Sequence, residues 1–227
     1  MPIDTAKKST GNKTPYNNLE NNMKRKQWLS KKMSIKDDFL NDSEQDSAGA
    51  VETISNKIYF YSDVTREQVL KLNKEIVQLD NGLIANALEW SSPQDAVPFY
   101  LHINSNGGSV FDALAAVDYI RNTKAPIVSV IDGCAASAAT IMSVVADKKL
   151  INKHAYMLIH QLSSWCFGKY EELVDDMKNN DELMKRIKEI YRENTKIPEK
   201  KLKEILKRDL WLDAKTCLEF GLVDEII

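Results

Sequence analysis

Residues 125–142, APIVSVIDGCAASAATIM, constrain this chain more than any other stretch. The β-branched run IVSVI ends at Asp132 and Gly133, and a cluster of very small residues follows with one hydroxyl in it, Ser137. The apolar run reads as a buried strand and the small residues as a helix packed closely on it. The expected join is a sharp turn through Asp132 and Gly133. Such a turn leaves the helix's first backbone N–H groups unpaired and sets the positive end of its dipole beside Ser137. A serine nucleophile needs that environment, because its tetrahedral intermediate carries an oxyanion. His160 stands at the end of the next apolar run, AYMLIH.

From about residue 56 the pattern alternates. KIYFYSDV (57–64) reads as a strand. Thr65 and Gln68 form a capping box for a helix carrying Val69, Leu70, Leu72, Ile76 and Val77 at helical spacing. A polar connector around Ser91, Ser92 and Pro93 leads to a strand, VPFYLHI (97–103), then to NSNGGSV and a helix over 110–122. Strands near 148–151 and 155–159, a long charged helix over 169–194, a short helix over 198–207, a strand near 210–212 and a final strand LVDEI complete the series. Strands alternating with helices imply an α/β domain, mainly parallel, with helices packed outside the sheet. Residues 1–52 are rich in Asn, Lys, Ser and Asp and read as a polar, flexible extension. The folded domain is expected over 53–227.

Composition excludes several classes. The net charge of −2 offers no basic field for nucleic acid. Cys134, Cys166 and Cys217 are odd in number and widely spaced, so no disulfide framework or metal-spaced pair is implied. That usage suits a reducing, cytoplasmic compartment. No apolar run approaches membrane-spanning length, and the start lacks a signal-peptide pattern. The loop Asn104-Ser105-Asn106-Gly107-Gly108-Ser109 has two glycines that let backbone approach a ligand. It matches no phosphate-binding fingerprint and has no P-loop lysine, so no nucleotide is expected; no His/Asp/Glu cluster has ligand spacing, so no metal is implied, and no other cofactor is expected. Asp209, between Arg208 and Leu210, reads either as a surface ion-pair residue or as the group that orients an imidazole. Ser137 and His160 likewise have plain structural readings when taken singly. His102 and His154 read as structural.

Taken jointly and in order, four segments resemble the proteolytic subunit of Clp protease, the ClpP family of serine peptidases. INSNGGSV is similar to its glycine-containing INSPGG segment, DGCAASAAT to its nucleophile segment and MLIHQ to its histidine segment. KRDLWLDAKTCLEFGLVDEI is similar to its carboxyl-terminal, aspartate-bearing stretch. The resemblance covers about residues 56–227. It implies the ClpP/crotonase-like fold of repeated β-β-α units, with helix 169–194 as the protruding handle. Ser137 would be the nucleophile, His160 the base, Asp209 the orienting carboxylate, and the N–H groups of Gly108 and Ala138 the oxyanion hole. It further implies peptide or unfolded polypeptide substrates, a homo-oligomer of one or two heptameric rings, and a hexameric AAA+ ATPase partner.

The chain departs from the family pattern in places. Ala138 and Ala139 stand where methionine and glycine are usual, Asn106 and Leu162 replace prolines, and Lys207 precedes Arg208. His102 replaces a common outer-surface aromatic, although Tyr100 is kept, and residues 1–52 do not resemble the family's axial loop. Alternatives are a phage head-maturation protease of this fold or a catalytically silent ring or scaffold subunit. A crotonase-type acyl-CoA enzyme would need no serine–histidine pair.

Overall fold

A computed structural model of the chain describes residues 50–90 and 97–227. Residues 1–49, most of the expected polar extension, and the connector at Ser91, Ser92 and Pro93 lie outside the described residues. The first strand, β1 (Ala50–Ile54), pairs antiparallel with β2 (Lys57–Tyr61) across a turn in which Ser55 has φ 58°. It begins upstream of residue 53, where the sequence places the start of the domain. AVETI alternates half-buried and exposed residues, and its Ser-Asn turn lacks the Asn-Gly signature that marks hairpins most strongly.

Parallel pairing runs from β2 to β3 (Phe99–Ser105), β4 (Ile127–Ala136), β5 (Lys148–Ile151) and β8 (Glu225–Ile226). β6 (Tyr156–Leu158) pairs with β4 and with β7 (Trp211–Asp213). Helix α1 (Arg66–Trp90) links β2 to β3, α2 (Val110–Arg121) links β3 to β4, and α3 (Ala138–Ser143) follows β4. The period-2 pattern of β3 explains its central place. Phe99, Leu101, Ile103 and Ser105 are buried, and Tyr100, His102 and Asn104 face the other way. Each fully buried large apolar side chain is worth about 1.5–3 kcal/mol, and Ile58, Phe60, Leu72, Ile76, Leu101 and Ile103 form one continuous core beneath the helices. The opposite sheet face has its own small cluster of Val128, Val130 and Leu150, with Tyr100 packed against it.

Thr65 caps α1, its hydroxyl accepting from Gln68 N–H at 3.4 Å. The reciprocal half of the expected box is missing, since Gln68 Oε1 is buried without a partner. Helix α4 (Tyr170–Asn194) is the handle of the fold. No residue from Tyr170 to Arg186 is buried, whereas Ile187, Ile190 and Tyr191 are. The helix is therefore anchored at its carboxyl-terminal end. The short helices α5 (Glu199–Ile205) and α6 (Ala214–Glu219) flank β7. Among the described residues, no helix is long and apolar enough to cross a membrane.

Candidate active site

Strand β4 does not end at Asp132 and Gly133, as the sequence suggests. It continues to Ala136, and the abrupt change of direction falls on Ser137, at φ 53° and ψ −123°. The reason lies in the register. Ile103 pairs with Ile131 but Ser105 with Ala135, so β4 carries extra residues opposite Asn104. The Asn104 side chain fills this bulge, its Oδ1 accepting from Cys134 N–H at 3.3 Å and from Cys134 Sγ at 3.6 Å. Beyond the bulge β4 leaves β5 and runs parallel to β6, with Ala136 beside Leu158. A bulge that re-aims a side chain is common next to functional sites.

Two register relations then gather the candidate residues. Ser137 N–H donates to Leu158 O at 2.8 Å, two residues before His160. β6 runs antiparallel to β7, with Leu158 opposite Trp211. Continued two residues further, that register sets His160 opposite Asp209. Their Nδ1 and Oδ1 atoms are 3.3 Å apart, with the His160 side chain 24% exposed and that of Asp209 80% exposed. Among the described residues no hydrogen bond joins Ser137 Oγ to His160.

The glycine loop closes the other side. Gly107 (φ 97°) lies so near the serine that a Cβ on it would meet Ala136 O at 2.6 Å, Ser137 Cβ at 2.7 Å and Ala138 N at 3.1 Å. Gly107 O accepts from Val64 N–H and Val64 O accepts from Ser109 N–H, both at 2.8 Å. Gly107 N–H donates to Ser105 Oγ at 3.1 Å. Among the described residues, the N–H groups of Gly108 and Ala138 have no acceptor. Ser109 caps α2 by accepting from Asp112 N–H at 3.3 Å. Both flanks of the loop are therefore pinned while one donor on it stays free.

Sequence reasoning passes over other polar residues near this bulge. Asp132 accepts from Tyr61 Oη at 2.7 Å and Asn152 Nδ2 at 2.8 Å, and lies 2.8 Å from His102 Nδ1. Burial alone would raise its carboxyl pKa, but the bonds from His102 and Tyr61 outweigh that and hold it below the ordinary value. His102 also stacks on Tyr59 at 4.7 Å. No motif flags these residues; the signal is only a charged residue ending an apolar strand.

Burial separates the three cysteines. It pushes the Cys217 thiol up to about 12 and the Cys134 thiol above its usual value, while Cys166 is exposed. Since the thiolate is the reactive form, brief iodoacetamide treatment at neutral pH is expected to alkylate Cys166 ahead of the other two, as read by peptide mass mapping. Early modification of Cys134 would mean that the Asn104 bulge opens in solution.

A family model described as Clp protease matches residues 52–227. The chain is 33% identical over 168 residues to the ATP-dependent Clp protease proteolytic subunit 2 of Treponema denticola, covering 71% of this chain and 82% of that protein. It is 30% identical over 173 residues to the ATP-dependent Clp protease proteolytic subunit of Lactococcus lactis subsp. cremoris, covering 74% and 86%. Among solved structures, a ClpP1 point mutant from Listeria monocytogenes superposes with a TM-score of 0.65 at 22% identity, over 76% of this chain and 91% of that one. By the span of the family match and the shared fold, this chain belongs to the Clp protease family.

Proposed function

We propose that the protein is a serine endopeptidase in which Ser137, His160 and Asp209 act as a triad. The observation that carries this reading is the His160–Asp209 pair, 3.3 Å apart at the end of the strand that Ser137 is hydrogen-bonded to. In the reaction, Ser137 Oγ attacks the scissile carbonyl carbon while His160 Nε2 takes the hydroxyl proton. The carbonyl oxygen becomes an oxyanion and receives the N–H groups of Gly108 and Ala138. Collapse of the intermediate breaks the C–N bond, and His160 returns the proton to the leaving amine. Water, deprotonated by the same imidazole, then hydrolyses the acyl-enzyme. Asp209 holds the imidazole's tautomer and stabilises its cation.

The relatives are named as proteolytic subunits of an ATP-dependent protease, and the same assembly is proposed here: a homo-oligomeric ring, peptide or unfolded polypeptide substrates, and a AAA+ ATPase that delivers them. An open site on a single chain, with Asp209 80% exposed, fits a reaction sheltered by neighbouring subunits instead of by a lid of its own.

The test is labelling by a fluorophosphonate, read by intact mass, on the wild type and on Ser137→Ala. One adduct on the wild type and none on the variant is the expected result. No adduct on either, in a folded and assembled protein, would defeat the peptidase reading. A second expectation concerns Asp209. Because it holds the imidazole's tautomer and takes no proton itself, Asp209→Asn is expected to lower kcat by about 10⁴-fold. The comparison to make is with His160→Ala on the same fluorogenic peptide; a loss under tenfold in Asp209→Asn would remove the carboxylate from the triad.

A further inference from the structure

We propose that Thr140 and Tyr191 are positioning residues for the nucleophile's peptide group, forming a buried hydrogen-bond chain from the base of helix α4 to the carbonyl oxygen of Ser137. This rests on the peptidase reading of Ser137 and Ala138 above. Thr140 Oγ1 donates to Ser137 O at 2.6 Å, and Thr140 N–H donates to the same oxygen at 3.0 Å. The threonine hydroxyl has a single proton, and it is committed to that carbonyl. The 2.6 Å contact between Thr140 Oγ1 and Tyr191 Oη is therefore donated by the tyrosine. Thr140 is 0% exposed and Tyr191 1% exposed, so no bulk water competes for either hydroxyl. Burial raises the phenol pKa and keeps the donating proton in place.

The consequence follows from peptide geometry. Ser137 C=O and Ala138 N–H belong to one planar trans peptide, so the two groups point in opposite directions. Ser137 is a non-glycine residue at φ 53°, a conformation that persists only where surrounding contacts over-determine it. Two donors gripping its carbonyl fix the orientation of that plane, and the plane fixes the aim of Ala138 N–H. Rotation of the peptide would turn this oxyanion donor away. Tyr191 is one of the three buried residues that anchor α4, so a shift at the base of that helix would be transmitted to the oxyanion donor through a single intermediate side chain.

The experiment uses the full chain as Tyr191→Phe, Thr140→Val, Thr140→Ser and the Phe/Val double variant. Removing an oxyanion donor outright costs about 10²–10³-fold in kcat, so loosening its aim is expected to cost about 10-fold. The expected pattern is a drop of about that size for Tyr191→Phe and Thr140→Val with KM changed less than about twofold. The double variant should be no worse than the poorer single, because the changes break one chain, and Thr140→Ser should recover activity by restoring the hydroxyl. Single variants with unchanged kcat, or losses that multiply in the double, would overturn the proposal. Amide exchange of the 136–140 segment is read on the same proteins and does not depend on catalysis. Faster exchange in Tyr191→Phe supports the chain, and unchanged exchange overturns it. A wild type that takes no phosphonate label would instead count against the peptidase reading alone.

Discussion

Replacing His160 by alanine is expected to lower kcat for a fluorogenic peptide by about 10⁴–10⁶-fold, and adding Ser137→Ala to that variant to cost nothing more. The size follows from the proton budget of the reaction. Ser137 Oγ is a poor nucleophile while protonated, and the β4–β6 pairing, with Ala136 beside Leu158, brings the segment that carries His160 alongside the one that carries Ser137. In the proposed reaction the His160 ring serves three transfers: from the serine, to the leaving amine and from the hydrolytic water. Without it, alkoxide formation relies on bulk hydroxide, and the leaving amine departs unprotonated. In the proposed triad Ser137 and His160 act as one unit, so removal of either already removes the covalent route, and the remaining rate comes from substrate binding and the oxyanion donors. The measurement is kcat of both single variants and the double, with circular dichroism to confirm that each is folded. Multiplying losses would mean that the two residues act in separate steps. A loss under tenfold in His160→Ala would assign the base elsewhere.

The residues of the candidate site are largely legible in the sequence, because those proposed as nucleophile, base and orienting carboxylate each sit in a short motif at a strand end. How they meet is not. His160 and Asp209 are 49 residues apart in the chain and face each other through a three-residue ladder, β6 with β7, too short for periodicity to announce. The turn that presents Ser137 reads at Gly133 in the sequence, since glycine is the usual punctuation. Gly133 instead stays within β4, where a Cβ would lie 3.1 Å from Asn104 Oδ1, and the positive φ falls on the serine, at φ 53° and ψ −123°. A cross-strand bulge filled by Asn104 decides this, and single-chain patterning has no means of reading a partner strand. Thr140 and Tyr191 are invisible for a similar reason. One looks like a small helix residue and the other like core, and only the packing of α4 on α3 joins their hydroxyls. Strand β1 is hidden because its alternation is weak and follows a long polar stretch.

Gly107→Ala is expected to lower kcat by about 10²–10³-fold, the range for loss of one oxyanion donor, and to cost about 1–3 kcal/mol of stability from backbone strain. The added methyl would lie 2.6 Å from Ala136 O and 2.7 Å from Ser137 Cβ, at a φ of 97°. Neither contact can be relieved by a rotamer change, because one atom is backbone and the other is the Ser137 Cβ, which the backbone places. Nor can the loop slide along its strand, since Val64 holds it on both sides of Gly108 through Gly107 O and Ser109 N–H. The remaining response is for the loop to move away from Ser137, which draws the Gly108 donor off the developing oxyanion. Gly133→Ala makes the comparison informative. Its φ is ordinary and its new methyl would meet the end of the Asn104 side chain at 3.1 Å, a group that can yield by a few tenths of an ångström. It should therefore retain most of the activity that Gly107→Ala loses. Thermal unfolding and peptide kcat on the two variants separate strain from catalysis. Near-normal turnover in Gly107→Ala would show that this loop does not carry the oxyanion donor. A loss in kcat larger than the stability change accounts for would tie the loop's close approach to the chemistry at Ser137.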